Sequence, residues 1–258
     1  MGNATEAQLD DSIINQAITV DDFEFFKNKS DGFYCDWSDT NRNDRNIRET
    51  DRNYCSVYTP DNSNFTYKRT LPVYFVINAS NSNMRDGVIA MENVMNKLFV
   101  FFKRISRKMA EECKEIKVKM LKFSSKAEWT TNGLVPIDDF YWNSLDSGEG
   151  TEVSIALKAL HKELLESRFS CSFIIFLIEG MPTDTVLWEN TLKWLNTNNI
   201  NFGRAIKFAI PVGGDAYQAE KMEFLRNLVG ECVVSVDEFQ LMGERIVSRW
   251  CRDFIADD

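Results

Sequence analysis

Histidine and paired cysteines are scarce in this chain, and their scarcity excludes several kinds of site. The 258 residues contain one histidine and six cysteines, and no two cysteines form a C-x-x-C pair. Zinc-ribbon and thioredoxin-like motifs are therefore absent. Because the cysteines are widely scattered, we expect free, mostly buried thiols. They are Cys35, Cys55, Cys113, Cys171, Cys232 and Cys251.

The chain also lacks the glycine-rich loops on which phosphate and dinucleotide binding depend. Neither G-x-G-x-x-G nor G-x-x-x-x-G-K-[ST] follows a predicted strand, and no serine lies in a G-x-S-x-G turn. The single histidine, His161, falls in a predicted helix with no nucleophile motif near it, so we assign it to surface or helix packing. We therefore expect no enzymatic activity, and a hydrolase or phosphatase on a Rossmann-like sheet is the alternative.

Long apolar runs and an excess of positive charge are missing as well. No run reaches the roughly 18–20 residues of a membrane helix, and the first residues, MGNATEAQLDD, lack the basic and apolar regions of a signal peptide. Glu6 stands where N-myristoylation requires Ser or Thr. We therefore expect a cytoplasmic protein that does not contact a membrane.

The net charge of −9 makes nucleic acid a poor default partner. The basic run KRISRK at 103–108 is the best candidate for a local basic patch. Its simpler interpretation, which we prefer, is the solvated end of a helix.

Two regions differ in composition. Residues 1–70 are polar and rich in Asn and Asp, and we interpret them as an N-terminal extension with a helix near 5–18 and loop over 36–66. In residues 71–258, apolar runs alternate with amphipathic segments. The predicted strands are 71–77, 116–123, 172–178, 205–210 and 231–236, and the predicted helices are 88–105, 152–166, 187–197, 218–230 and 239–254.

Strands separated by helices of this length predict an α/β fold. The expected architecture is a Rossmann-like, doubly wound, mostly parallel sheet with helices on both faces. Such sheets bind ligands at the carboxyl ends of the strands, where the strand order reverses. We therefore expect the functional site in the loops after Asn78, Phe123 and Glu179, together with the glycine-containing loop before Thr151.

Three polar segments fall on that side of the predicted sheet. They are NASNSNM at 78–84, SGEGT at 147–151 and IEGMPTD at 178–184. Their hydroxyls and one carboxylate are expected to converge, and an all-oxygen set of this kind suits a hard divalent cation such as Mg²⁺.

These segments resemble the metal-ion-dependent adhesion site of von Willebrand factor A (VWA) domains, whose pattern is D-x-S-x-S, a loop Thr and an Asp in T-D-G. The resemblance covers about residues 71–254 and is strongest to bacterial VWA proteins associated with tellurium resistance. There LPVYLLLDTSGSM is similar to LPVYFVINASNSNM here, GGT to GEGT, and LMTDGQPTD to FLIEGMPTD; LVPIDDF at 134–140 also matches. The family fold implies a short antiparallel edge strand around Trp129.

Carried over by position, the resemblance implies a metal site made of Asn78, Ser80, Ser82, Thr151 and Glu179. Two of these residues depart from the family pattern, because Asn78 and Glu179 stand where the family has aspartates. Asn78 removes a negative charge, and Glu179 adds a methylene where Mg²⁺ tolerates little distortion. Losing one of two charges is expected to cost more than about 1 kcal/mol of cation binding. The implied Mg²⁺ is therefore bound weakly or not at all.

The same residues also have an ordinary structural interpretation. Asn and Ser after a strand are common in turns. Ser82 or Asn83 could cap the first helix, and Thr151 could cap the helix at 152–166. Asp138, Asp139 and Asp184 are interpreted as solvated loop residues. Trp142 and Trp188 belong to loops on or near the site side, where they either pack in the core or anchor a partner.

The function implied by the resemblance is an intracellular protein-binding module with a degenerate adhesion site. The implied setting is a bacterial stress-response or defence assembly, and the identity of the protein partner is open. The remaining alternative is a purely structural subunit of a larger complex, with residues 1–70 as its docking arm.

Overall fold

The computed structural model describes residues 69–80, 84–110, 114–141, 148–167, 169, 172–214 and 216–253, with backbone alone for 69, 84–86 and 248–253. All of them lie in Asn64–Asp258, the second of two compact units into which the chain divides. The helix predicted near 5–18 and the loop predicted over 36–66 lie outside the described residues.

One mixed sheet forms the centre of this unit. Its strands are β1 (Arg69–Asn78), β2 (Lys114–Phe123), β3 (Ala127–Trp129), β4 (Val135–Pro136), β5 (Phe173–Glu179) and β6 (Ile206–Val212). The order is β3-β2-β1-β5-β6, and β4 pairs with β2 outside this path. β2, β1, β5 and β6 run parallel, whereas the short β3 and β4 are antiparallel to β2. The predicted edge strand around Trp129 is thus confirmed.

Helices cover both faces of the sheet. They are α1 (Met84–Ala110), α2 (Val153–Glu166), α3 (Thr185–Asn198), α4 (Ile200–Arg204), α5 (Ala219–Val229) and α6 (Val236–Asp253). None of the helices among the described residues is long and apolar enough to cross a membrane. The predicted doubly wound α/β fold is confirmed.

Side chains that alternate along β1 divide the core into two layers. Phe75 and Ile77 pack with α1 and α6 in one apolar cluster. Tyr74 and Val76 point the other way and pack with α2, α3 and α5 in a second cluster. This alternation is the period of two expected of a strand buried on both faces, and it decides which helix each residue at the end of the strand meets.

A partly buried ion pair borders the second layer. The ammonium of Lys119 on β2 lies 2.6 Å from Glu163 of α2 and 4.6 Å from the ring centre of Trp129. The neighbouring Tyr74 is fully buried. Desolvation, with a smaller contribution from the Glu163 charge, raises the pKa of Tyr74 to about 12 against the opposing Ser167 hydroxyl.

The basic run at 103–108 occupies the last two turns of α1. Arg104 and Lys108 both pair with Glu244 of α6. The hydrogen bond from Lys108 holds the pKa of Glu244 below its ordinary value. Two basic residues of the run therefore join α1 to α6 at the surface.

The strand predicted over 231–236 is wrong. Only Val233 forms a bridge, to Ala209 of β6, and α6 begins at Val236. Ser235 and Glu238 form a capping box: the Ser235 amide donates to the Glu238 carboxylate at 2.7 Å, and the Glu238 amide donates to the Ser235 hydroxyl at 3.2 Å. This reciprocal cap starts the helix and ends the extended segment.

Candidate functional site

Two adjacent parallel strands, β1 and β5, end at the same edge of the sheet. From β1 the chain goes first to β2 on one side and later to β5 and β6 on the other, so the strand order reverses between β1 and β5. Asn78 ends β1 and Glu179 ends β5. This switch point is the usual ligand crevice of an open α/β sheet.

A chain of hydrogen bonds joins three of the predicted site residues. The Ser80 hydroxyl donates to Asn78 Oδ1 at 2.7 Å, and Asn78 Nδ2 donates to Thr151 Oγ1 at 3.3 Å. All three side chains are buried, and Asn78 is only 2% exposed. The amide therefore uses an acceptor and a donor at once, which a carboxylate in the same place cannot do.

Glu179 faces the opposite side of the sheet from Asn78. Ile77 pairs with Leu177, and both belong to the layer beneath α1. Because alternate residues point to opposite faces, Glu179 falls on the α1 side and Asn78 on the α2 side. The two side chains thus leave the sheet on different faces, although both line one small cavity at its edge.

Gly87 in the first turn of α1 makes room for the Glu179 carboxylate. A Cβ at position 87 would lie 2.1 Å from Glu179 Oε1 and 2.6 Å from its Cδ. Neither distance is compatible with van der Waals radii, so only glycine fits while Glu179 keeps this position. The carboxylate, 5% exposed, sits beside the amino-terminal turn of α1, where negative charge is favoured.

A small cavity connects these residues. It has a volume of about 10 Å³ and is lined by Asn78, Ala79, Ser80, Gly87, Val88, Met91 and Glu179. A space of that size holds a single water-sized guest. The structure therefore brings together Asn78, Ser80, Thr151 and Glu179 at one edge; Ser82 lies outside the described residues.

Backbone hydrogen bonds hold the surrounding loops together. The Ala79 amide donates to Phe123 O at 2.7 Å, and the Gly148 amide donates to Ala79 O at 2.8 Å. Thr151 and Thr183 exchange two bonds, from the Thr151 amide to Thr183 Oγ1 and from the Thr183 amide to Thr151 O. The three segments predicted to converge are therefore physically linked.

Asp184 has a role that the sequence interpretation missed. Its carboxylate accepts from the amides of Val153 and Ser154 at 3.0 and 2.8 Å, so it caps α2 from another loop. The prediction of a solvated loop residue is wrong for Asp184. Thr151 is not the cap of α2; Glu152 stands at the N-cap position and makes no side-chain capping bond.

The exposed surface beside the site is partly apolar. Met181, in the loop after β5, is 42% exposed. Trp188, considered above as a partner anchor, is instead 3% exposed and packs edge-on against Phe224 at 5.0 Å, so it belongs to the core. Trp142 lies outside the described residues.

His161 lies away from the crevice. Its Nδ1 is 2.9 Å from Asn199 Nδ2, and its ring packs edge-on against Trp194 at 4.6 Å. The histidine therefore has a helix-packing environment, as predicted.

The donor set fits Mg²⁺ poorly. Among the residues that the structure describes, no group of three His, Cys, Asp or Glu side chains is placed to hold a metal. Ser80, Thr151 and Glu179 offer oxygen ligands, but only one carries charge, and Asn78 already bonds both hydroxyls. Mg²⁺ sites normally use carboxylates and near-octahedral geometry. A resident cation is not needed to hold these side chains together.

No protein-family model matches the chain, and no curated protein matches it. Among solved structures, it is similar to a mutant of the PilB minor pilin from Streptococcus sanguinis, with 14% identity over 78% of this chain and 66% of that chain and a TM-score of 0.52. The chain therefore spans just under two thirds of the pilin's length. At this identity the likeness shows a shared fold.

Two weaker matches have TM-scores below 0.5 and carry no inference. One is proximal thread matrix protein 1 from the mussel byssus with a zinc-occupied MIDAS motif, at 17% identity, 72% and 46% coverage of the two chains, and a TM-score of 0.45. The other is the ArnB paralog VWA2 from Sulfolobus acidocaldarius, at 16% identity, 68% and 44% coverage, and a TM-score of 0.44. The sheet order and the helix layers confirm the predicted Rossmann-like, doubly wound fold.

Proposed function

We propose that this chain is a protein-binding VWA-type module whose adhesion site holds its shape without a resident cation. The loops at the carboxyl edge of β1 and β5 bind the partner. The observation that carries the proposal is the buried bonding chain from Ser80 through Asn78 to Thr151. It gathers residues from separate loops at the switch point of the sheet, where such folds bind ligands.

The amide of Asn78 supports the metal-free part of the proposal. In a cation site, the hydroxyl oxygens are held by the ion, and an aspartate adds charge. Here Asn78 bonds to both hydroxyls directly and adds no charge. Glu179 keeps one negative charge, but its carboxylate lies against Gly87 of α1. Divalent ions are therefore expected to bind weakly and to leave partner binding unchanged.

Three parts of the proposal rest on the sequence. The cytoplasmic location and the absence of catalysis follow from missing motifs, and the place in a bacterial stress-response or defence assembly follows from the resemblance. The packing of His161 against Asn199 and Trp194 favours binding over the alternative of a hydrolase or phosphatase.

Affinity capture from host lysate with mass spectrometry tests the proposal. The parent protein is compared with Met181→Asp, which places a charge on the exposed loop after β5. Leu241→Asp is the control, because Leu241 is 68% exposed on α6 and away from the strand ends. We expect Met181→Asp to lose a partner that Leu241→Asp and the parent retain, with or without EDTA.

Two results would contradict this. If all three proteins capture the partner equally, the binding surface does not include the loop after β5. Release of the partner by EDTA would show that the site depends on a cation.

A further inference from the structure

Helix α3 exposes an apolar surface that the loop site does not explain. Its buried side, Trp188, Leu192 and Leu195, faces the sheet. On the outer side, Val186, Leu187 and Trp194 are 71%, 50% and 49% exposed. Isolated exposed apolar residues are ordinary, but several on one helix indicate an interaction surface.

The outer side of α3 has two distinct flanks. At about 100° per residue, Leu187 and Trp194 lie on one flank, and Glu189 and Lys193 lie on the other. Asn190, also exposed, lies between them. One flank therefore carries a pair of large apolar side chains and the other a pair of opposite charges.

The apolar flank borders a groove between α2 and α3. The groove has a volume of about 400 Å³ and is lined by Lys158, His161, Asn190, Thr191, Trp194 and Leu195. His161 packs edge-on against the Trp194 ring and is itself in contact with Asn199, so the indole has a fixed support. The groove is large enough for an aliphatic side chain from a second helix.

We propose that α3 is a self-association surface, on which a second copy of this chain packs its own α3 antiparallel about a two-fold axis. In an antiparallel two-fold pair, each flank meets the same flank of the other copy with its order reversed. The midpoint between Leu187 and Trp194 and the midpoint between Glu189 and Lys193 both fall at Asn190–Thr191. One axis there places Leu187 against the second copy's Trp194 and Glu189 against its Lys193.

Because both midpoints coincide, a second copy of this chain matches the surface. An unrelated helix would have to supply matching apolar and charged residues, whereas α3 supplies both for itself. The small side chains of Asn190 and Thr191 at the crossing allow close approach. Since α3 is only 14 residues long, the interface is at the small end of specific ones, roughly 1,200 Å² in total, and the dimer is expected to be weak. The proposal is independent of the loop site.

Analytical ultracentrifugation of the full chain, from low micromolar to near-millimolar concentration, tests it. We expect the mass to rise from 29.8 kDa towards twice that value. Trp194→Asp is expected to weaken association roughly tenfold or more, as loss of a central aromatic does. Glu189→Lys and Lys193→Glu are each expected to weaken it several-fold, because each creates like-charge pairs. The exchange of both charges restores opposite pairs and is expected to recover association.

Matched controls exclude effects of net charge and folding. Glu128→Lys in β3 and Lys126→Glu directly before it make the same charge changes at exposed positions and are expected to associate like the parent. Circular dichroism confirms that every variant is folded. A parent that stays monomeric at all concentrations overturns the proposal. The proposal is also overturned if Trp194→Asp associates as strongly as the parent. It is overturned as well if the variant with both charges exchanged associates no more strongly than the single-charge variants.

Discussion

Alanine at position 87 reverses the usual effect of replacing a helical glycine. In a helix interior, Gly→Ala ordinarily stabilises by about 1 kcal/mol. At Gly87, however, the new Cβ would meet the Glu179 carboxylate at 2.1–2.6 Å. The contacted atoms are the end of a flexible side chain, so the carboxylate has to turn aside, and at 5% exposure it has little free space in which to do so. Overpacking of this kind costs about 1–3 kcal/mol, so Gly87→Ala is expected to destabilise by about 1 kcal/mol net.

Shortening Glu179 should restore the stabilising effect of alanine at position 87. Asp at 179 withdraws the carboxylate by one methylene, which leaves room for the methyl group that alanine would add at position 87. In the Glu179→Asp background, Gly87→Ala is therefore expected to stabilise by about 1 kcal/mol. The difference between the two backgrounds, about 2 kcal/mol, is the coupling energy of a double-mutant cycle.

Urea unfolding of the four proteins, followed by circular dichroism, measures this coupling. Gly203→Ala in α4 is the control, because a Cβ there meets nothing closer than 3.9 Å, the carbonyl oxygen of Asn196. It should not destabilise in either background. If Gly87→Ala stabilises equally with Glu or Asp at 179, the carboxylate does not occupy the space beside α1, and the reasoning fails.

Three further predictions concern the site and the second core layer. Asn78→Asp combined with Glu179→Asp should raise Mg²⁺ or Mn²⁺ affinity in isothermal titration; no gain over the parent would mean that these positions cannot form a cation site. Lys119→Met should destabilise by about 2–3 kcal/mol in urea, because it leaves Glu163 without its buried partner, and adding Glu163→Leu should recover much of the loss. Stability should fall between pH 10 and pH 12, since unfolded tyrosine ionises near 10 whereas the pKa of Tyr74 is about 12; Tyr74→Phe should lose less over that range, and parallel curves would contradict the assignment.

The fold was predictable where burial is continuous. β5, Phe173–Glu179, is buried at every position, and such an apolar run has few alternatives to a central parallel strand. The error at 231–236 arose because a short apolar run is as typical of an extended segment with a single bridge as it is of a strand. The capping box of Ser235 and Glu238 was visible in the sequence as S-x-x-E, and giving it more weight would have placed the start of α6 correctly.

The site was predictable only in part, because its contacts are long-range. Asn78, Ser80 and Thr151 follow recognisable strand ends, so the topology alone brings them together. The contact of Asp184 with α2 and that of Gly87 with Glu179 have no local signature. The sequence around Asp184 predicts only a loop, and the sequence around Gly87 predicts only a helix. Neither local sequence indicates which distant residue is contacted. Register and strand parity, which set these contacts, come only from the assembled sheet.

The two departures from the VWA pattern are each matched by a local feature of this chain. Asn78 replaces a charge with an amide that donates to Thr151 and accepts from Ser80. Glu179 replaces a shorter acid, and Gly87 provides the space for it. An aspartate at 78 could not donate to Thr151, whose hydroxyl would have to turn and donate instead, and it would bury a second charge without a cation, which costs about 1–3 kcal/mol or more. The site therefore resists return to a metal-binding form one residue at a time, because Asn78→Asp alone places an uncompensated charge at a position that is only 2% exposed.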